Sequence, residues 1–127
     1  MALAEPARAL ADFARAVALD PEDTDVLVGR GEAFFELGDI DSAAADFDAA
    51  LALDPTNAMG YIGRAGVFLF RNEPDRALKA CDKAIEVEPE LGPAFLRRSQ
   101  AHRALGDPIK ADEDLERARE LGLEDEP

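Results

Sequence analysis

The sequence predicts an all-α fold, a solenoid of antiparallel helix pairs with about seven helices, and three observations carry that expectation. Pro21, Pro55 and Pro89 each follow an acid, and the interval between them is 34 residues both times. Shifting the chain by that period superimposes four triplets: Ala9, Phe13, Ala16; Ala43, Phe47, Ala50; Ala77, Cys81, Ala84; and Ala111, Leu115, Ala118. No segment alternates with the period of two that a half-buried strand requires.

Within each triplet the spacings of four and three place all members on one helix face. These are the B helices, and their alanines let a neighbour approach closely while the larger central residue fills the remaining gap. Upstream of each complete B helix runs a second series, Leu27, Tyr61 and Phe95, followed seven residues later by Phe34, Phe68 and His102. Two turns apart, the partners share a face, which defines an A helix. In order, the elements are a lone B helix at about 5 to 19 and helix pairs at about 24 to 57, 58 to 91 and 92 to 121, with an acidic tail over 122 to 127. All lie in one domain, 1 to 127.

The A-to-B breaks are as regular as the helices: Leu37-Gly38-Asp39, Arg71-Asn72-Glu73-Pro74 and Leu105-Gly106-Asp107-Pro108. Gly or Asn can take the left-handed conformation that ends a helix, the acid caps the next, and Pro suits a first turn. Turns this tight make A and B antiparallel. A third series, Arg30, Arg64 and Arg98, keeps the register and is expected to pair with B-helix acids such as Asp12, Asp46 and Asp82.

Period, alanine and aromatic positions and closing prolines together resemble the tetratricopeptide repeat. The resemblance covers nearly the whole chain, departing at Leu123, where a fourth proline would fall. It implies a right-handed superhelix whose A helices line a concave groove, and a protein- or peptide-binding adaptor or scaffold. A self-assembling scaffold and a chaperone for a hydrophobic client segment are the alternatives.

Placed on the outward A-helix face, the expected groove consists of Val28, Glu32, Phe35 and Glu36; Met59, Ile62, Gly63, Gly66, Leu69 and Phe70; and Leu96, Arg97, Gln100 and Arg103. It is acid-flanked at the first A helix, apolar in the middle and basic at the last. The stretch 59 to 70 is apolar almost all round, as expected of a helix covered on both sides. Gly63 and Gly66 suggest room for a bulky anchor. The family's best-known groove chemistry is a clamp for acidic chaperone C-termini built from Lys, Asn and Arg. Here the equivalent places read Val28, Glu32, Gly63, Pro93 and Arg97, of which only Arg97 fits.

Charge and composition exclude several classes. Lysine and arginine number 14 against 28 acids, so the formal charge of -14 disfavours nucleic acid. Asp20 to Asn57 holds eleven acids and one arginine; Asp41, Asp46 and Asp48 are expected to face solvent, while Glu32 and Glu36 suit a basic partner segment. No apolar run reaches the roughly 20 residues of a membrane span, and the opening residues lack a secretory pattern, so a cytoplasmic location without membrane association is expected.

One histidine and one cysteine give no zinc ligand set, no nucleotide loop is present, and neither enzyme activity nor a cofactor is expected. His102 and Cys81 stand where other repeats carry Phe, and read as packing residues. Gly29, Gly31, Gly60, Gly63 and Gly66 read as close-approach positions.

The two ends differ. On the last B helix, Asp112, Glu113, Asp114, Glu116, Arg117, Arg119 and Glu120 make the polar outer face that a terminal repeat needs. The first B helix carries Leu3, Leu10, Phe13, Val17 and Leu19 and lacks its A helix. Three readings are open: a longer array, a second copy packed on this helix as in a homo-oligomer formed through it or through the groove, or a helix sufficient as its own cap.

Overall fold

The computed structural model describes residues 4 to 123. Leu3 and the tail acids Glu124, Asp125 and Glu126 lie outside the described residues. Seven helices and no strand occur among the described residues: α1 (Ala4–Leu19), α2 (Thr24–Glu36), α3 (Ile40–Leu53), α4 (Ala58–Phe70), α5 (Pro74–Val87), α6 (Gly92–Ala104) and α7 (Pro108–Glu120). None is long and apolar enough to cross a membrane.

Each helix packs on its sequence neighbours, and the additional contacts are α2 with α4 and α4 with α6. The A helices therefore form one inner layer, and the B helices α1, α3, α5 and α7 form an outer layer whose members do not touch one another.

Local chemistry sets each boundary. Gly38, Asn72 and Gly106 have φ of 85°, 61° and 81°, the left-handed turn that ends each A helix. In each case the next amide donates back across the turn: Asp39 to Phe34, Glu73 to Phe68 and Asp107 to His102, at 2.8 to 2.9 Å. Asp23, Asp39, Asn57 and Asp107 cap the following helices with their side chains, whereas α5 and α6 begin with Pro near the first turn and have no side-chain cap. Asn57 also donates to Thr24 and Asp25, tying the start of α4 to that of α2.

The triplet alanines of α3, α5 and α7 are fully buried, as close helix crossings require. Phe47 is flanked by the A-helix residues sixteen before and sixteen after it. Phe47 is wedged between Gly31 and Gly63, where any Cβ would strike its ring, and Phe13 lies against Gly29. One repeat on, the corresponding pair is Cys81 and Arg97, so small and large have exchanged sides. Burial pushes the Cys81 thiol up to about 12, as befits a core residue.

On α1 the Ala9, Phe13, Ala16 face is only half-buried, because α2 is the one helix touching it, and Leu19 is 88% exposed.

The arginine series pairs with acids sixteen residues away, though not always those expected. Arg30 holds Asp46 through two 2.8 Å bonds, and Arg98 holds Asp114 in the same way while also reaching Asp82 at 3.1 Å. Arg64 instead donates to Asp48 on the preceding B helix. Asp12 takes no part, and lies 3.5 Å from Arg15 on its own helix.

Two expectations of solvent-facing acids are thereby corrected. Asp46 and Asp114 are only 5% and 6% exposed, because the arginine fork draws each inward and satisfies both carboxylate oxygens. His102 is largely buried beside Asp114, at 3.6 Å, in the packing position expected of it.

Candidate functional site

Along the inner layer, α2, α4 and α6 enclose an open cavity of about 250 Å³. Its walls are Glu32, Phe35 and Glu36 from α2, Ile62, Gly63 and Gly66 from α4, and Arg97 from α6. Seven of the fourteen residues expected on this face thus meet at one place. An eighth wall was not anticipated. Phe47 belongs to α3, but the absent side chain of Gly63 lets its ring reach through to the cavity floor.

The other expected residues are distributed around this centre. Phe70 is 66% exposed beside the cavity and packs edge-on against Phe35, with ring centroids 6.4 Å apart at 75°. Gln100 accepts a 3.1 Å bond from Arg97. Val28 is buried in the core, and Leu69 packs against the cluster of Ala65, Ala77 and Cys81. Met59 is exposed at the start of α4, and Leu96 is half-buried without forming a wall. Arg103 reaches to Asp112 on α7 at 3.1 Å, away from the inner layer.

The apolar surplus of α4 has a largely internal explanation. This helix touches α2, α3, α5 and α6, so Ile62, Ala65 and Val67 are consumed by packing and Gly60 and Gly63 admit Leu51 and Phe47. Gly63 accordingly opens no space for a ligand. Gly66 leaves more room, because the nearest atoms a Cβ there would meet belong to the tip of Arg97, at 3.4 Å.

Electrostatically the cavity is two-ended. Burial raises the Glu32 carboxyl above its ordinary value, Glu36 adds to that, and the attraction of Arg97 opposes both. Burial likewise lowers Arg97, with Glu32 again opposing. Among the described residues no carboxylate lies within 4 Å of the Arg97 guanidinium, whose hydrogen bond goes to Gln100. A half-buried cation without an ion pair faces one end of the apolar floor, and two acids stand at the other. No group of residues able to hold a metal occurs among the described residues.

A stack of helix pairs with an apolar, charge-flanked cavity on its inner layer defines a helical-repeat protein. The family model described as the tetratricopeptide repeat matches residues 1–58, and the same 34-residue architecture continues through α7. Residues 1–58 thus match the tetratricopeptide repeat, and the described chain is similar in fold to solved tetratricopeptide-repeat proteins.

No curated relative matches its sequence. Among solved structures it is similar to TTC0263, a thermophilic TPR protein of Thermus thermophilus, at 26% identity over 95% of this chain and 68% of that one, with a TM-score of 0.88. It is also similar to the first TPR of Spaghetti (RPAP3), solved bound to the HSP90 peptide SRMEEVD, at 27% identity over 81% and 82% of the two chains and a TM-score of 0.74. MamA shares the fold at 24% identity, 91% and 68% coverage and a TM-score of 0.75.

Proposed function

We propose that the chain is a protein- or peptide-binding adaptor whose ligand lies along the inner layer, over the cavity between Glu32 and Arg97. The observation carrying this reading is that cavity: an apolar floor of Phe35, Phe47 and Ile62, open above Gly66 and bordered by the exposed Phe70. Apolar side chains left exposed around a concave pocket on a monomer favour an apolar anchor from a partner. The flanking charges then set polarity, with a basic ligand segment toward Glu32 and Glu36 and an acidic group toward Arg97. The peptide seen on the RPAP3 domain carries several acids, but of the family's clamp positions this chain matches Arg97 alone, so a hydrophobic anchor is the better fit.

An array of peptides with basic, apolar and acidic thirds tests the reading. The wild-type protein retains a subset of them, whereas Phe70→Asp, which places a charge at an exposed position, and Gly66→Leu, which fills the cavity, retain none of that subset. Unchanged retention by both variants moves the binding surface away from the inner layer.

A second reading, self-association through α1, is favoured by the half-exposed Phe13 and the exposed Leu19 on a helix that touches α2 alone. A light-scattering mass equal to one chain, independent of concentration, rejects it.

A further inference from the structure

The lateral groove between the two helices of each repeat differs sharply in the middle pair. In the pairs α2/α3 and α6/α7 it is closed by an arginine–aspartate fork, Arg30 on Asp46 and Arg98 on Asp114. Ala80 stands at that place in α5, one period from both aspartates. The space that the carboxylate fills elsewhere is here an open cavity of about 360 Å³ between α4 and α5.

Its composition changes in a concerted way. Where α3 carries Ser42, Ala45 and Ala49, α5 carries Arg76, Lys79 and Lys83, all three lining the cavity together with Arg64 of α4. Four cations and no acid form its walls, in a protein with a net charge of -14. Tyr61 and Phe68 complete the apolar side, with the Arg76 guanidinium 5.9 Å from the Phe68 ring centre.

The existing partners of these cations lie outside the walls and are exchangeable. Arg64 bonds Asp48, which is 61% exposed, while Arg76 faces Glu73 just before α5 at 3.7 Å and Lys83 faces Glu86 on α5 at 3.1 Å. Exposed pairs of this kind hold weakly and exchange readily with solvent and other ions. Lys79 has no ion pair among the described residues.

We infer that this groove is a second binding site, independent of the inner-layer cavity, which takes a carboxylate side chain of an acidic peptide segment in the place where its sister repeats hold their own aspartate. The geometry of the sister repeats shows what the guanidinium recognises, and Lys79 and Lys83 add attraction for neighbouring acids of the same segment. At an ionic strength of about 0.15 M the screening length is about 8 Å, so acids farther from the groove than this act weakly on a ligand seated there. The nearer Asp48, Glu73 and Glu86 are the ones with which it competes.

Tyr61 is the only tyrosine and there is no tryptophan, so intrinsic emission reports this groove directly. A hexaglutamate peptide titrated into the full chain at about 0.15 M ionic strength is expected to change Tyr61 emission saturably. Ala80→Asp restores the missing carboxylate, and Lys79→Glu reverses an exposed wall charge; each weakens the apparent affinity at least tenfold while the circular dichroism stays that of wild type. Arg15→Glu makes the same charge change on α1, far from the groove, and leaves the affinity within a factor of two. Absence of a saturable change, wild-type affinity in both groove variants, or an equal loss from Arg15→Glu overturns the inference.

Discussion

Gly63→Ala and Gly66→Ala are the same substitution on the same helix, one turn apart, and the structure gives them opposite signs. Replacing a helical glycine by alanine gains up to about 1 kcal/mol in propensity at either position. At Gly66 little opposes that gain, because the new methyl meets the flexible tip of Arg97 at an ordinary 3.4 Å. At Gly63 the methyl falls on the Phe47 ring, and the ring cannot retreat, since a Cβ on the opposite side, at Gly31, would already stand 2.7 Å from it. Overpacking of this kind costs about 1 to 3 kcal/mol, and with the Gly31 backbone behind the ring the upper half applies.

The net expectation is a loss of about 1 to 2 kcal/mol for Gly63→Ala and a gain of about 0.5 to 1 kcal/mol for Gly66→Ala. Thermal and urea denaturation followed by circular dichroism read both, with melting temperatures displaced in opposite directions by several degrees. Phe47→Leu made in the Gly63→Ala background recovers part of the loss, giving a coupling of about 1 kcal/mol in the double-mutant cycle. A Gly63→Ala protein at least as stable as wild type, or two shifts of the same sign, refutes the wedge.

Two further outcomes follow from buried polar groups. Asp46→Ala strands Arg30, whereas Asp114→Ala leaves Arg98 its second acid, Asp82; the first variant is expected to lose about 2 kcal/mol and the second measurably less, checked by urea denaturation. The Cys81 thiol, held neutral by burial, must ionise with more difficulty when folded, at about 12, than the ordinary 9.0 of an exposed thiol. Its contribution to stability is therefore complete below about pH 9 and is lost as pH rises from there toward 12, which a urea midpoint series over that range, compared with Cys81→Ala, detects; in the folded protein it should resist a thiol reagent at about pH 8.

Periodicity made the helices legible. A residue such as Ala50 or Ala84 declares both its face and its closeness to a neighbour, and Gly38, Asn72 and Gly106 declare the turns, because these are local preferences repeated at a fixed interval. Which neighbour a side chain meets was harder to read. Arg64 has its expected face but chooses Asp48, since the aspartate its sister residues use is Ala80 in this repeat. Gly63 resembles Gly66 in sequence, yet Phe47 from another helix fills the space above one and not the other.

The basic lateral groove escaped notice for a related reason: its cations are scattered between Arg64 and Lys83, and only the antiparallel pairing of α4 and α5 draws them together. A comparison of Ala80 with Asp46 and Asp114 would have signalled it.

Phe47 belongs to two structures at once. Its ring is the wedge that spaces α2 from α4, and its edge is the floor on which an inner-layer ligand would rest. Anything that presses on that floor also acts on the joint between the α2/α3 and α4/α5 repeats, and by thermodynamic reciprocity any change in the curvature of the array alters the fit of the ligand. Were a ligand to rest there, its affinity and the spacing of the two repeats would be two readings of one coupling.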